Sequence, residues 1–155
     1  MAEGVHNMSC SYILFTNNPV MKSKITNDRF EIVFIDGTSL EVLKSARDHV
    51  HLGARLVTHP LYGNLRPYQQ PYRTILVNKP PACGHPISKG GETPGACSYD
   101  FESLSLIESA LDVYQSCIDR LIRPENLPEH LREDYAYVDF ELMRESFSRF
   151  GLIKG

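Results

Sequence analysis

Tyr12-Ile13-Leu14-Phe15 running into Thr16-Asn17-Asn18-Pro19, and Glu31-Ile32-Val33-Phe34-Ile35 running into Asp36-Gly37-Thr38, decide the fold. Each is a β-branched and aromatic run stopped by a polar, turn-prone cluster. The pattern returns twice, as Arg55-Leu56-Val57 into Thr58-His59-Pro60 and as Thr74-Ile75-Leu76-Val77 into Asn78-Lys79-Pro80. Near-continuous apolar runs suit strands covered on both faces, as in a parallel sheet. The expectation is a single α/β domain over residues 1–155, a Rossmann-like three-layer fold with a mainly parallel sheet of about four strands.

The connections support the first three strands. Asn18 before Pro19 reads as the cap and first residue of a short helix over residues 20–25. Thr38 and Glu41 have capping-box spacing. Leu40, Leu43, Ala46 and Val50 then recur at helical spacing, and Gly53 stops the helix. This gives β-α-β-α-β from residue 12 to 57. Residues 59–72 hold four prolines or glycines (Pro60, Gly63, Pro67, Pro71) and three tyrosines (Tyr62, Tyr68, Tyr72), and read as an ordered loop. That loop is long enough to cross to a parallel fourth strand, and it could equally close an antiparallel pair.

Residues 1–10 read as a flexible lead-in and residues 80–98, rich in Pro, Gly, Ser and Thr, as a mobile excursion. Asp100 is placed to cap a long helix with Leu104, Ile107, Leu111, Tyr114, Ile118 and Leu121 on one stripe, ended by Pro124 and Pro128. Residues 123–155 form a C-terminal helical extension. In it Asp139 is expected to cap a last helix with Phe140, Met143, Phe147 and Phe150 on one face, stopped by Gly151.

Composition excludes several classes. A chain of 155 residues with net charge −3, 42% hydrophobic and 23% charged, has the make-up of a soluble globular domain. It has no basic stripe for nucleic acid and no run long enough to span a membrane. The first nine residues lack the apolar core of a secretory signal. Four dispersed cysteines without a Cys-x-x-Cys pair suit reduced thiols, so a cytoplasmic location is expected. Neither GxGxxG nor GxxxxGK[ST] occurs, which argues against a dinucleotide or P-loop site.

The polar clusters after the strands are the leading site candidate. Thr16, Asn17, Asn18, Asp36, Thr58, His59 and Asn78 are expected to bind a ligand at the strand ends, where open α/β sheets carry their sites. Helix N-termini near Asn18 and Thr38 would suit a small carboxylate or phosphate. His59 is the best candidate for a proton-transfer residue, and Asn17, Asp36 and His59 are expected to line one crevice. The bland reading is that these residues only cap helices and make turns. A second candidate, Arg66, Tyr68, Tyr72 and Arg73, could grip an anion, but solvated arginines above packed aromatics are favoured. Cys83, His85 and Cys97, with His59, could in principle ligate zinc, but the spacing is poor and no metal is expected. Cys10 and Cys117 read as buried thiols. Glu102, Glu108, Asp112 and Asp119 read as a solvated helix face.

Several of these segments resemble the GrdX family. They are Thr16-Asn17-Asn18-Pro19, Phe34-Ile35-Asp36-Gly37, the Leu40-Glu41-Val42-Leu43 helix with Arg47-Asp48, and Leu56-Val57-Thr58-His59-Pro60-Leu61. Pro71-Tyr72-Arg73-Thr74-Ile75-Leu76-Val77 and the Glu102-Ser103-Leu104, Ile107-Glu108 and Ala110 pattern also fit. The resemblance covers about residues 12–122. Members are encoded beside glycine, sarcosine and betaine reductase systems, whose selenoproteins work with a thiol-dependent step that forms acetyl phosphate. The resemblance implies an accessory protein of amino-acid reduction, partnered by a small anionic metabolite or glycine-reductase-type components, with no cofactor of its own. It transfers no catalytic residue to this chain. The alternatives are a small-molecule hydrolase or transferase using His59 with Asp36 or Asn17, and a structural interaction protein, with a homodimer as one form and helix 139–150 at its interface.

Overall fold

The computed structural model of the chain describes residues 11–63, 66–79, 100–151 and 153. The readings made for residues 1–10 and 80–98, and for Cys10, Cys83, His85 and Cys97, lie outside these residues.

Four strands form one sheet: β1 (Tyr12–Thr16), β2 (Phe30–Phe34), β3 (Arg55–Leu56) and β4 (Thr74–Asn78), in the order β2-β1-β4-β3. β1 and β2 are parallel. β4 is antiparallel to β1, with Thr16 opposite Thr74 and Tyr12 opposite Asn78, and antiparallel to β3. The sheet is therefore mixed, and the expected mainly parallel, Rossmann-like three-layer fold is corrected to an α/β fold with one parallel and two antiparallel strand pairs. The reason lies in residues 59–73. Among the described residues of this segment the only regular element is a 3-10 turn at Pro67–Gln69. The segment stays at the edge where β1 ends, tied there by Asn17 Nδ2 to the Pro71 carbonyl at 2.9 Å and by the Thr74 amide to Tyr62 Oη at 2.9 Å. A parallel pair needs a crossover to the opposite edge. Without one, the chain turns straight back down between β1 and β3.

The helices follow their local signals. α1 (Pro19–Lys24) is capped by Asn18, whose Oδ1 accepts from the Val20 amide at 3.0 Å. α2 (Ser39–His51) carries the full capping box, with the Thr38 amide donating to Glu41 Oε2 at 2.6 Å. A Cβ on Gly37 would overlap that Glu41 carboxylate, which would have to move from its capping position. α3 (Phe101–Ser116) is capped by Asp100, and Ser103 Oγ in turn accepts from the Leu56 amide, joining α3 to β3. Hydrogen bonds from the Ser103 side chain and backbone hold the Asp100 carboxyl below its ordinary range.

Alternation along β1 and β4 sorts the core. Ile13, Phe15, Ile75 and Val77 pack with Leu43, Ala46 and Val50 of α2 and with Ile107, Ala110 and Tyr114 of α3. Leu14 and Leu76 face the other way, onto Met21 of α1 and onto Phe140, Met143 and Phe147 of α4 (Glu129–Arg149). Asp139 does not cap α4. The helix starts ten residues earlier behind Pro128, and Asp139 is buried in its middle.

Candidate functional site

Three strands run the same way, so Thr16, Phe34 and Thr58 end at one edge of the sheet. Chain reversal places the natural crevice there, because β2 is added on one side of β1 and β3 on the other. In this protein β4 occupies that gap, and the segment leading into it fills the crevice with the chain's own polar side chains.

Arg73 is the centre of the filling. It is the largest fully buried side chain, at 0% exposure, although the sequence favoured a solvated arginine. Its Nε donates to Tyr114 Oη at 3.0 Å, one terminal nitrogen to the carbonyls of Pro60 (3.2 Å) and Tyr62 (3.4 Å), and the other to Gln70 Oε1 at 2.8 Å. The guanidinium lies over the rings of Tyr62 and Tyr114, at 5.0 and 5.7 Å from their centroids. Neutral oxygens and ring faces thus take all the hydrogen bonds, and the balancing charge stands beyond Tyr62 as Asp139. Tyr62 Oη donates to Asp139 Oδ1, while Asp139 Oδ2 accepts from Thr74 Oγ1 at 2.8 Å and Asn18 Nδ2 at 3.0 Å. Thr74 Oγ1 also pairs with Thr16 Oγ1 at 2.8 Å. Burial pushes the Asp139 carboxyl above its ordinary range, against hydrogen bonds from Tyr62, Asn18 and Thr74 and the nearby Arg73 charge. Burial, with the Asp139 charge beside it, lifts the Tyr62 phenol well above 10.

This network absorbs most of the expected site. Asn17 spends its amide on the Gly37 and Pro71 carbonyls and the Arg73 amide. Asn18 spends its own on the Ala136 carbonyl, Asp139 and the Val20 amide. Thr58 Oγ1 accepts from the Leu76 amide at 3.2 Å. Asn78 is not with the others: antiparallel β4 carries it to the opposite edge, where it is exposed. His59 is exposed beside the edge strand β3, its Nδ1 accepting from the Leu61 amide at 3.0 Å. β2 and β3 are three strand spacings apart, about 14 Å, so His59 and Asp36 do not share a crevice.

Among the described residues a groove stays open on the β1–β2 side. One depression of about 180 Å³ is lined by Asn17, Pro19, Asp36, Tyr72, Glu125 and Arg132, with Phe34, Ile35, Gly37 and Pro124. A second of about 220 Å³ adjoins it, sharing Pro19, Tyr72 and Arg132 and adding Glu129 and Glu133. Both are below the size of drug-like sites and suit a small metabolite. Arg132 Nε is buried without a hydrogen-bond partner. Among the described residues neither Arg132 nor Asp36 makes an ion pair. The Tyr72 phenol is raised by burial, with Arg132 lowering it and Glu125 raising it, so it is a neutral hydrogen-bond donor at ordinary pH. Tyr72 is the one member of the second sequence candidate that reaches this groove. Arg66 and Tyr68 sit outside it, joined to each other at 3.2 Å, with Arg120 over the Tyr68 ring.

Sequence reasoning passed over Arg132, Glu125, Tyr62 and Asp139. For Asp139 a signal existed: it falls on the stripe of Ala136, Phe140, Met143 and Phe147, where a carboxylate is out of place unless it is hydrogen-bonded. Arg132 carries no such mark. Cys117 is buried, and Glu102, Glu108, Asp112 and Asp119 are exposed. Among the described residues no three His, Cys, Asp or Glu side chains cluster as a metal site, and no helix is long and apolar enough to cross a membrane.

Fold and groove together define a small α/β protein whose strand-end crevice is plugged by a buried arginine, with an open groove beside the plug. Over residues 13–88, from β1 through β4, the chain matches the GrdX-like protein family. No curated protein and no solved structure matches it.

Proposed function

We propose that this GrdX-like protein is an accessory component of glycine, sarcosine or betaine reductase metabolism that binds a small carboxylate-bearing metabolite in the groove between Asp36, Tyr72 and Arg132. The single observation behind this reading is Arg132, a guanidinium in a metabolite-sized groove whose buried Nε has no partner. A buried donor left unpaired costs about 1–3 kcal/mol, and a carboxylate on that face would remove the cost through a charge-assisted bond. Tyr72 can add a neutral donor. The helix ends contribute less than the sequence promised, because the N-terminus of α2 is already closed by its own Glu41 carboxylate. The metabolic setting rests on the family alone.

The geometry favours binding over hydrolysis or group transfer by His59. His59 and Asp36 follow strands that stand about 14 Å apart in the sheet, and the Asn17 amide is fully engaged. Calorimetric titration with acetate, propionate and inorganic phosphate tests the reading. At least one carboxylate is expected to bind, with affinity lost in Arg132→Gln and kept in His59→Gln, both variants melting near the parent. Binding that survives Arg132→Gln, or that disappears in His59→Gln, would overturn the proposal.

A further inference from the structure

We infer that the ligand of this groove is a zwitterion, carrying a cationic ammonium as well as its carboxylate. The inference rests on the groove being the binding site and goes on to define its ligand class. A simple anion is a poor match. The 180 Å³ depression holds one guanidinium, Arg132, and two carboxylates, Asp36 and Glu125, of which Glu125 is ion-paired with Arg123 at 3.4 Å, while the adjoining one adds Glu129 and Glu133. A monoanion would satisfy Arg132 and meet this surplus of negative charge, whereas like charges brought together in a recess disfavour binding.

The arrangement of the charges is the second part of the argument. Asp36 closes β2 and Arg132 sits in the first turn of α4, so the two come from elements anchored separately. They line one depression and yet do not pair. Pro19, Phe34, Pro124 and Tyr72 line the same depression. Arg132 lowers and Glu125 raises the Tyr72 phenol, so both charges lie near it. An unpaired cation and an unpaired anion lining one depression are complementary to one molecule bearing both charges. The carboxylate would take Arg132 and the Tyr72 hydroxyl, and the ammonium would take Asp36, with Glu125 and the aromatic faces as secondary partners. No bond is made or broken in this role.

The test is a calorimetric comparison of glycine, β-alanine and 4-aminobutyrate, which differ in the distance between their charges, with acetate, propionate and ethylamine as single-charge controls. The expected result is that at least one zwitterion binds tenfold or more tighter than every control. In Asp36→Asn that preference is expected to fall severalfold while acetate binds as well as before or better. Acetate or propionate binding as tightly as the best zwitterion would overturn the inference and leave the carboxylate groove standing. An unchanged preference in Asp36→Asn that also survives in Glu125→Gln would overturn it as well. Silence from all six compounds would remove both the groove and its ligand class.

Discussion

At the scale of single residues, Asp139 is the most exacting position in the molecule. Its carboxylate collects Tyr62, Thr74 and Asn18, and so ties the β3–β4 segment, the sheet and α1 to α4. Asp139→Asn keeps the shape but turns a donor toward Thr74 and Asn18, and is expected to cost about 2 kcal/mol at neutral pH. The pH dependence has a definite sign. Burial raises the folded-state value of Asp139 above the ordinary 3.8, so its contribution to stability is fully present below the unfolded value and is lost as pH rises through the folded one. The stability gap between parent and Asp139→Asn, measured by urea denaturation, is therefore expected to widen as pH falls from neutrality toward 4. A flat gap, or one that narrows, would show that burial does not raise the folded-state value of this carboxyl. Arg73 poses the companion problem. A guanidinium next to a strand looks like surface in a one-dimensional reading, since its acceptors on Pro60, Tyr62, Gln70 and Tyr114 are spread along 55 residues of chain and meet only in the fold.

Among the elements, the helix ends separate local from tertiary work. Thr38 only closes its own helix, with Glu41. Asn18 caps α1 and also reaches the Ala136 carbonyl and Asp139 of α4. Thr38→Ala is thus expected to cost about 1 kcal/mol, and Asn18→Ala roughly 2–4 kcal/mol because buried partners on α4 are left unsatisfied. Equal losses in thermal unfolding would mean that Asn18 is only a cap. The same distinction explains what could be read from the sequence. Caps at Asn18, Thr38 and Asp100, the glycine stop after α2 and the apolar stripes of α2 and α3 are set by residues three or four apart, so they were legible. The direction of β4 was not, because it depends on where residues 59–73 dock and not on the Thr74–Asn78 run itself. The start of α4 was missed for a related reason. Pro128 sits at its N-cap, where proline is tolerated, and the charged stretch after it hides the helix until Ala136 and Phe140 reach the core.

For the whole molecule, the insertion of β4 between β1 and β3 decides where a ligand can go. It fills the central crevice with Arg73 and Tyr62 and moves the open space to the β1–β2 side, under the first turn of α4. The sequence put Asn17 and Asp36 just past the ends of their strands, and both line the groove. It could not place Arg132, which is 96 residues beyond Asp36 and meets it only because α4 packs across the Leu14 and Leu76 face. The central claim is that ligand binding belongs to this groove and not to the His59 side of the sheet. Backbone amide NMR of the full chain, titrated with glycine and separately with acetate, tests it most directly. The account expects shifts that saturate at Asp36, Gly37, Tyr72 and Arg132, with Thr58, His59 and Asn78 unmoved. Shifts centred on Thr58 and His59, with the groove residues still, would contradict it.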